Sequence, residues 1–379
     1  MPAPSSAIPS VAGVTVIGTG LIGLTSALAL AEQGLEVVLI GDTHAGEASP
    51  AGAGMLAPSV EDDHPTTRPD PAHAFAVASL ARYPEYLAWL AGRTGINVPL
   101  NRRGILRIAL GEASASWLRD RAGTHGQWLD AAAVRALEPG LTTAAGAMFY
   151  ATDGAVDNVA LLHALTVAVD QSRQIHRIRS DVRAIAFNTT HVSCTIAGTG
   201  ATVRSSHVVL AAGAWTTQIA GLPRPLPVEP YRGQMFAVAA SGATTLSHVV
   251  YGPDTYIVPR GDRVLIGATM ERVGFDSNTT DAALASVRAK VAAYWPIVAS
   301  VPATASWAGL RPVTPDLLPL LGPDPTHPAL IYACGHSRNG ILMAPLTGDC
   351  VAALVTGSAV PSDLSAFRVD RFALADEQS

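Results

Sequence analysis

Residues 14–42, VTVIGTGLIGLTSALALAEQGLEVVLIGD, restrict the fold more than any other stretch of the chain. A β-branched apolar run at 14–17 leads into Gly18, Gly20 and Gly23, spaced G-x-G-x-x-G. An Ala/Leu-rich helix follows to Gln33, Gly34 stops it, and 37–40 forms a second buried strand. The three glycines serve a tight turn, close approach of backbone to a pyrophosphate, and close packing of helix on strand. The unpaired N–H groups at the helix start, with the helix dipole behind them, favour an anion there. A βαβ opening of about 30 residues in this order predicts a dinucleotide site on an α/β sheet.

The second strand of such a unit usually ends on an acid that takes the ribose hydroxyls. Here Gly41 holds that place and Asp42 comes one residue later. Successive strand side chains point to opposite faces, so Asp42 can substitute only if the strand has ended or bulges. A ribose 2′-phosphate would need a cation nearby, and residues 1–67 contain no Lys or Arg, which argues against NADP. The loop alone leaves FAD and NAD open.

A chain of 379 residues exceeds one ordinary core and predicts two domains. With 49% hydrophobic and 15% charged residues it suits a well-buried enzyme, and a net charge of −5 gives no basic footprint for nucleic acid. The start MPAPSSAIPSVAG has neither the basic segment nor the apolar core of a signal peptide, and no apolar run is long enough for a membrane span. Cys194, Cys334 and Cys350 form no C-x-x-C or metal pattern, and the 11 His are scattered. These features predict a reduced, cytoplasmic location with no metal.

Along the chain, residues 59–70 (SVEDDHPTTRPD) read as an acidic solvated loop, followed by a helical stretch containing Pro84 and an alternating strand, GILRIAL. A helix capped by Asp130 should end near Pro139, and VDNVALLHALTVAV forms another. Strands then dominate from 231 to 270 with RGDR as a turn, one more helix follows, and a last helix runs from about Pro345 to Val355. The fold class is therefore α/β: a Rossmann-like binding domain with an inserted, β-rich α+β substrate domain. Its segments are 1–84, 145–225 and 308–379 for the first and 85–144 with 226–307 for the second.

GTGLIG, EASPAGAGMLAP, AAGAWT, RGQM, YIVPRGDRVLIGATMERVGFD, WAGLRPVTPDLLPLLGP and GHSRNGILMAP occur in this order over nearly the whole chain. In that order they resemble the D-amino-acid oxidase-like flavoprotein family, and within it the glycine oxidase branch associated with thiamine biosynthesis. The resemblance implies FAD. It carries cofactor contacts onto Gly18, Gly20, Leu21, Ile22 and Gly23, onto Asp42 and Ser49, and onto Ala53, Gly54 and Met55 beside the flavin. Val182, then Ala212, Gly213 and Trp215, then Gly335, Arg338, Asn339, Gly340 and Ile341 complete the cofactor set. Arg311 and Tyr256 match the pair that takes the substrate carboxylate, and Met270, Met55 and Arg338 match pocket positions. Two positions depart from the family pattern: Gly41 replaces the ribose acid, and Ser337 stands where the branch often has an aromatic.

The implied reaction passes hydride from Cα of glycine, or another small primary or secondary amino acid, to flavin N5. The imine hydrolyses to a 2-oxo acid, and oxygen is reduced to hydrogen peroxide. A flavin does this chemistry, so the protein binds, orients and tunes. Arg311 offers a two-pronged contact that Lys cannot, and Tyr256 adds a phenolic donor. A helix start behind GHSRNG would stabilise negative charge on the reduced ring. RPVTPDLLPLLG lacks the cysteine through which some relatives attach flavin, so the FAD is expected to be non-covalent. Asp254, two residues before Tyr256, would share its face if the strand already runs there, and otherwise belongs to the YGPDT turn. Partners are the amino acid and oxygen, with a homo-oligomer implied by the branch. Two competing readings remain: a dehydrogenase of the same fold that passes electrons to another acceptor, and a non-catalytic flavoprotein paralogue.

Overall fold

The computed structural model describes residues 9–60, 71–121 and 126–372. Most of the stretch expected to be an acidic loop, residues 61–70, lies outside them. The opening strand Val11–Ile17 is central to an eight-stranded sheet. Its parallel part runs Ile175–Ile178, Val37–Ile40, Val11–Ile17, Thr202–Leu210, Leu330–Cys334 in spatial order. The first half of Thr202–Leu210 also pairs antiparallel with Val192–Ile196, and its second half pairs with Leu330–Cys334. The strands VVLI and LIYAC are buried at every residue, as strands covered on both faces must be.

The helix Leu21–Glu32 is apolar almost all round because it is enclosed on every side. It shares one core with the helices Pro71–Thr94, Asn158–Gln171 and Gly340–Thr356. Leu24, Leu28 and Leu30 are fully buried there, each worth about 1.5–3 kcal/mol relative to exposure. Gly23 lets the helix lie on its strand, since a Cβ at this position would sit 1.9 Å from the Gly18 carbonyl oxygen.

A second eight-stranded sheet is almost wholly antiparallel. Its order is Ala305–Val313, Glu229–Ala239, Arg263–Gly267, Thr255–Arg260, Val249–Gly252, Ile105–Ala109, Gly146–Tyr150, Gln127–Asp130. Only the Val249–Gly252 and Ile105–Ala109 pair is parallel. Arg260 pairs with Arg263 across the expected RGDR turn. Asp130 caps Ala131–Leu137 through a 2.8 Å bond from the Ala133 N–H.

Hydrogen bonding moves the segment borders expected from the sequence. The helix expected to contain Pro84 runs unbroken over Pro71–Thr94, across the border placed at 84, and packs Leu87 and Leu90 into the first core. Gly146–Tyr150, and residues 308–313 of the strand Ala305–Val313, fall in segments expected for the binding domain and are laddered into the second sheet. The last helix starts at Gly340 rather than near Pro345. Proline inside a helix deprives the carbonyl four residues back of its donor. Here that carbonyl, on Ile341, accepts instead from the Tyr83 hydroxyl at 2.5 Å.

Candidate active site

The first sheet and the helices Leu21–Glu32 and Gly340–Thr356 open onto one elongated cavity of about 400 Å³. Gly18, Gly20, Leu21 and Ile22 line one part of it, with Asp42, Ser49 and Val182. Ala212, Gly213, Trp215, Gly335, Arg338, Gly340 and Ile341 line the rest. Gly23 stays outside, in the packing role described above. Neither helix has a side-chain hydrogen bond at its N-cap, Gly20 or Asn339. Two long helices thus present their positive ends to the same space. The Leu21 N–H donates to Ser49 Oγ at 3.0 Å, which leaves the serine hydroxyl proton available beside the glycine loop. His336, also on the wall, is fully buried, and burial pushes its imidazole pKa down to about 3.

The strand before Gly41 ends at Ile40, so alternation no longer governs the next residues, and Gly41 and Asp42 both line the cavity. Asp42 Oδ1 accepts the Thr43 N–H at 2.8 Å. His44 stacks on Trp215, with ring centroids 4.7 Å apart, and reaches Asp181 Oδ1 at 2.9 Å.

Next to this space lies a smaller cavity of about 70 Å³. Arg311 and Tyr256 line it, with Ala53, Gly54, Met55, Arg338 and Asn339. Arg311 projects from Ala305–Val313 and lies over Gly233 of the adjacent strand, where a Cβ would come within 2.0 Å of Nη1. Its Nη1 donates to the Thr269 carbonyl at 3.0 Å. Tyr256 is 7% exposed, and its hydroxyl donates to Met235 Sδ at 3.6 Å. Arg338 is exposed and donates to the Tyr251 hydroxyl at 3.1 Å.

Two expected pocket residues lie elsewhere. Met270 is 46% exposed and does not line the cavity. Thr269 and Glu271 on either side of it both turn inward, because Thr269 Oγ1 donates to Glu271 Oε2 at 2.8 Å, so Met270 points out. Asp254 sits in the turn before Thr255–Arg260 with φ +56°, and its carboxylate faces Lys290 Nζ at 3.5 Å.

Sequence reasoning missed the residues that brace the site. Arg260 Nη2 donates to the Ala53 carbonyl at 2.6 Å and to Asn158 Oδ1 at 2.7 Å, tying the second sheet to the segment at 53–55. Burial pushes its guanidinium pKa down, with Asp157 opposing. Behind Thr269, Glu271 Oε2 also accepts from Gln234 Nε2 at 2.7 Å and Arg232 Nε at 3.2 Å. Partial burial acts to raise the Glu271 pKa, but the bonds from Arg232, Gln234 and Thr269 outweigh it and hold the carboxyl below its ordinary range. A charged residue inside an apolar strand, such as the Arg in YIVPRGDR, was the available signal.

An α/β sheet with a glycine loop and two helix starts opening onto one cavity fits a dinucleotide with a flavin end. The chain belongs to the FAD-dependent oxidoreductase family, whose pattern it matches over residues 13–354. Within that family it is glycine oxidase-like. It is 33% identical to a glycine oxidase of Geobacillus kaustophilus, covering 94% of this chain and 96% of that one. The crystal structure of glycine oxidase from that organism superposes with a TM-score of 0.87 at 32% identity, covering 96% of this chain and 99% of the other. A bifunctional protein ThiO/ThiG of Synechocystis sp. is 35% identical over 95% of this chain and 54% of its own length. The chain therefore spans about half the length of that relative. Its cofactor is FAD. Among the described residues no helix is long and apolar enough to cross a membrane.

Proposed function

We propose that the protein is an oxidase of glycine or a related small primary or secondary amino acid. Oxidation at Cα gives an imine that water converts to a 2-oxo acid, and oxygen takes up the electrons as hydrogen peroxide. The observation that carries this reading is that Arg311 and Tyr256 share the wall of one small cavity beside Met55. FAD, when bound, supplies the two-electron acceptor. With one Nη1 proton committed to Thr269, Arg311 keeps further N–H groups for a two-pronged grip on a carboxylate. Such a charged contact contributes about 1.5–3 kcal/mol. The Tyr256 hydroxyl now donates only to a thioether, a weak acceptor, and can turn to the same carboxylate at little cost.

The remaining walls are made mostly by Ala48, Ala51, Gly52, Ala53, Gly54 and Ala57. Small, apolar and close, they favour a small substrate and keep water away from the Cα. No Asp, Glu or His is among the lining residues, which suits a reaction in which the protein orients the substrate and takes no proton from Cα. Three free, buried cysteines suit a reducing compartment, the cytoplasm. The test is an oxygen electrode and a peroxide assay on the flavin-loaded protein with glycine, sarcosine and small D-amino acids. We expect oxygen uptake with stoichiometric peroxide. Failure of every amino acid to bleach the flavin anaerobically would overturn the reading. Bleaching without oxygen uptake would turn it into a dehydrogenase.

A further inference from the structure

The strand that normally ends on the ribose acid ends here on a glycine, and the reason lies across the cavity. A Cβ placed on Gly41 would lie 2.8 Å from both Thr19 Oγ1 and Thr19 Cγ2, and 2.9 Å from the Thr19 backbone nitrogen. Thr19, inside the glycine loop, thus fills the space through which a side chain at 41 would have to leave the backbone. Nor can the residue at 41 be enlarged while Thr19 stays where it is. The wall nevertheless retains carboxylates, since Asp42, Glu47 and Asp181 line this cavity.

Each of the three has one oxygen engaged, and Asp42 is the one that directly follows Gly41 at the strand end. Glu47 Oε1 accepts the His44 N–H at 2.9 Å, and Asp181 Oδ1 is met by His44 Nε2 at 2.9 Å. Asp42 has only the local bond from Thr43, which uses Oδ1 and fixes the orientation of the group. No ion pair to Asp42 is formed among the described residues, so a negatively charged oxygen is left over at the strand end. We propose that Asp42 takes the adenosine ribose hydroxyls of FAD in this chain, one residue beyond the usual acid, and that Thr19 enforces the shift by closing the position at Gly41. The ribose contact is moved along the chain, not lost, and position 19 decides where it goes.

The test uses deflavinated protein, with FAD binding followed by quenching of flavin fluorescence and ADP or 2′,3′-dideoxy-ADP as competitors. The two competitors differ only in the hydroxyls at issue. The wild type should prefer ADP by roughly ten- to a hundredfold, the range of a charged hydrogen bond. Asp42→Ala should lose that preference while the circular dichroism of the protein is unchanged. In the Asp42→Ala background, Gly41→Glu should not restore it, because the new Cβ would meet both the side chain and the backbone nitrogen of Thr19. The proposal is overturned if the wild type shows no preference, if Asp42→Ala keeps it, or if Gly41→Glu restores it with Thr19 in place.

Discussion

Replacing Gly233 with alanine adds one methyl group directly beneath the Arg311 guanidinium. The new carbon would lie 2.0 Å from Nη1 and 2.5 Å from both Cζ and Nη2, against the 3.4 Å at which ordinary contact begins. Gly233 is held in register with Gly309 across one strand pair, and its strand is paired on the other side with Arg263–Gly267. The backbone is therefore the stiffer partner, and the guanidinium must retreat by more than an ångström. That movement breaks the 3.0 Å bond to the Thr269 carbonyl and displaces the N–H groups proposed to hold a carboxylate. A misplacement of about 1 Å at a reacting centre costs about a hundredfold in rate, so kcat/KM for glycine should fall by that order, with most of the change in KM. Steady-state oxygen uptake and anaerobic flavin reduction measure it, and the flavin spectrum and thermal midpoint report folding. Unchanged kcat/KM would refute the reasoning. So would a loss that tracks flavin content or melting temperature alone.

Arg260→Met keeps the bulk of that side chain but strips the donors from the Ala53 carbonyl and Asn158 Oδ1. At about 1–3 kcal/mol for each acceptor left buried without a partner, the thermal midpoint should drop clearly in calorimetry. A surface-like change of a few tenths of a kcal/mol would contradict this brace. The pKa of His336 is about 3 in the fold against 6.5 for the free side chain. Unfolding therefore takes up a proton between those values, and stability should fall as pH drops through 6.5 and level off below 3, by about 2 kcal/mol at pH 5. His336→Gln should flatten that part of the profile, and thermal melts at pH 7 and pH 5 check it. Cys334 lines the cofactor cavity, but burial pushes its thiol up to about 12, so it is no ready attachment point. Acid precipitation should accordingly leave the yellow colour in the supernatant, whereas a yellow pellet would mean a covalent bond.

Much of this architecture could be read from local pattern. The glycine loop, the two buried strands around its helix and the cap at Asp130 are properties of neighbouring residues, and each stands where local pattern put it. Pro345 was a poorer guide to where the last helix begins, because tertiary contact holds the helix through it; the hydroxyl of Tyr83 satisfies the freed carbonyl from 258 residues away. Asp254 stands in the YGPDT turn, the alternative the sequence left open, and Met270, put in the pocket by the resemblance alone, is turned outward by the inward bonds of Thr269 and Glu271. The partners of Arg260 could not be read from the sequence, since Ala53 and Asn158 are 207 and 102 residues distant. Gly41 looked like a defect in the motif, and only the position of Thr19 makes physical sense of it.

The role of Arg311 as the carboxylate anchor can be measured without turnover. Acetate carries the carboxylate and no oxidisable amine, so it can be titrated into flavin-loaded wild type and Arg311→Ala and followed by the shift of the visible flavin band. The account predicts that the variant, with its flavin still bound, needs roughly ten- to a hundredfold more acetate for half the shift. Equal half-saturation in the two proteins would contradict it.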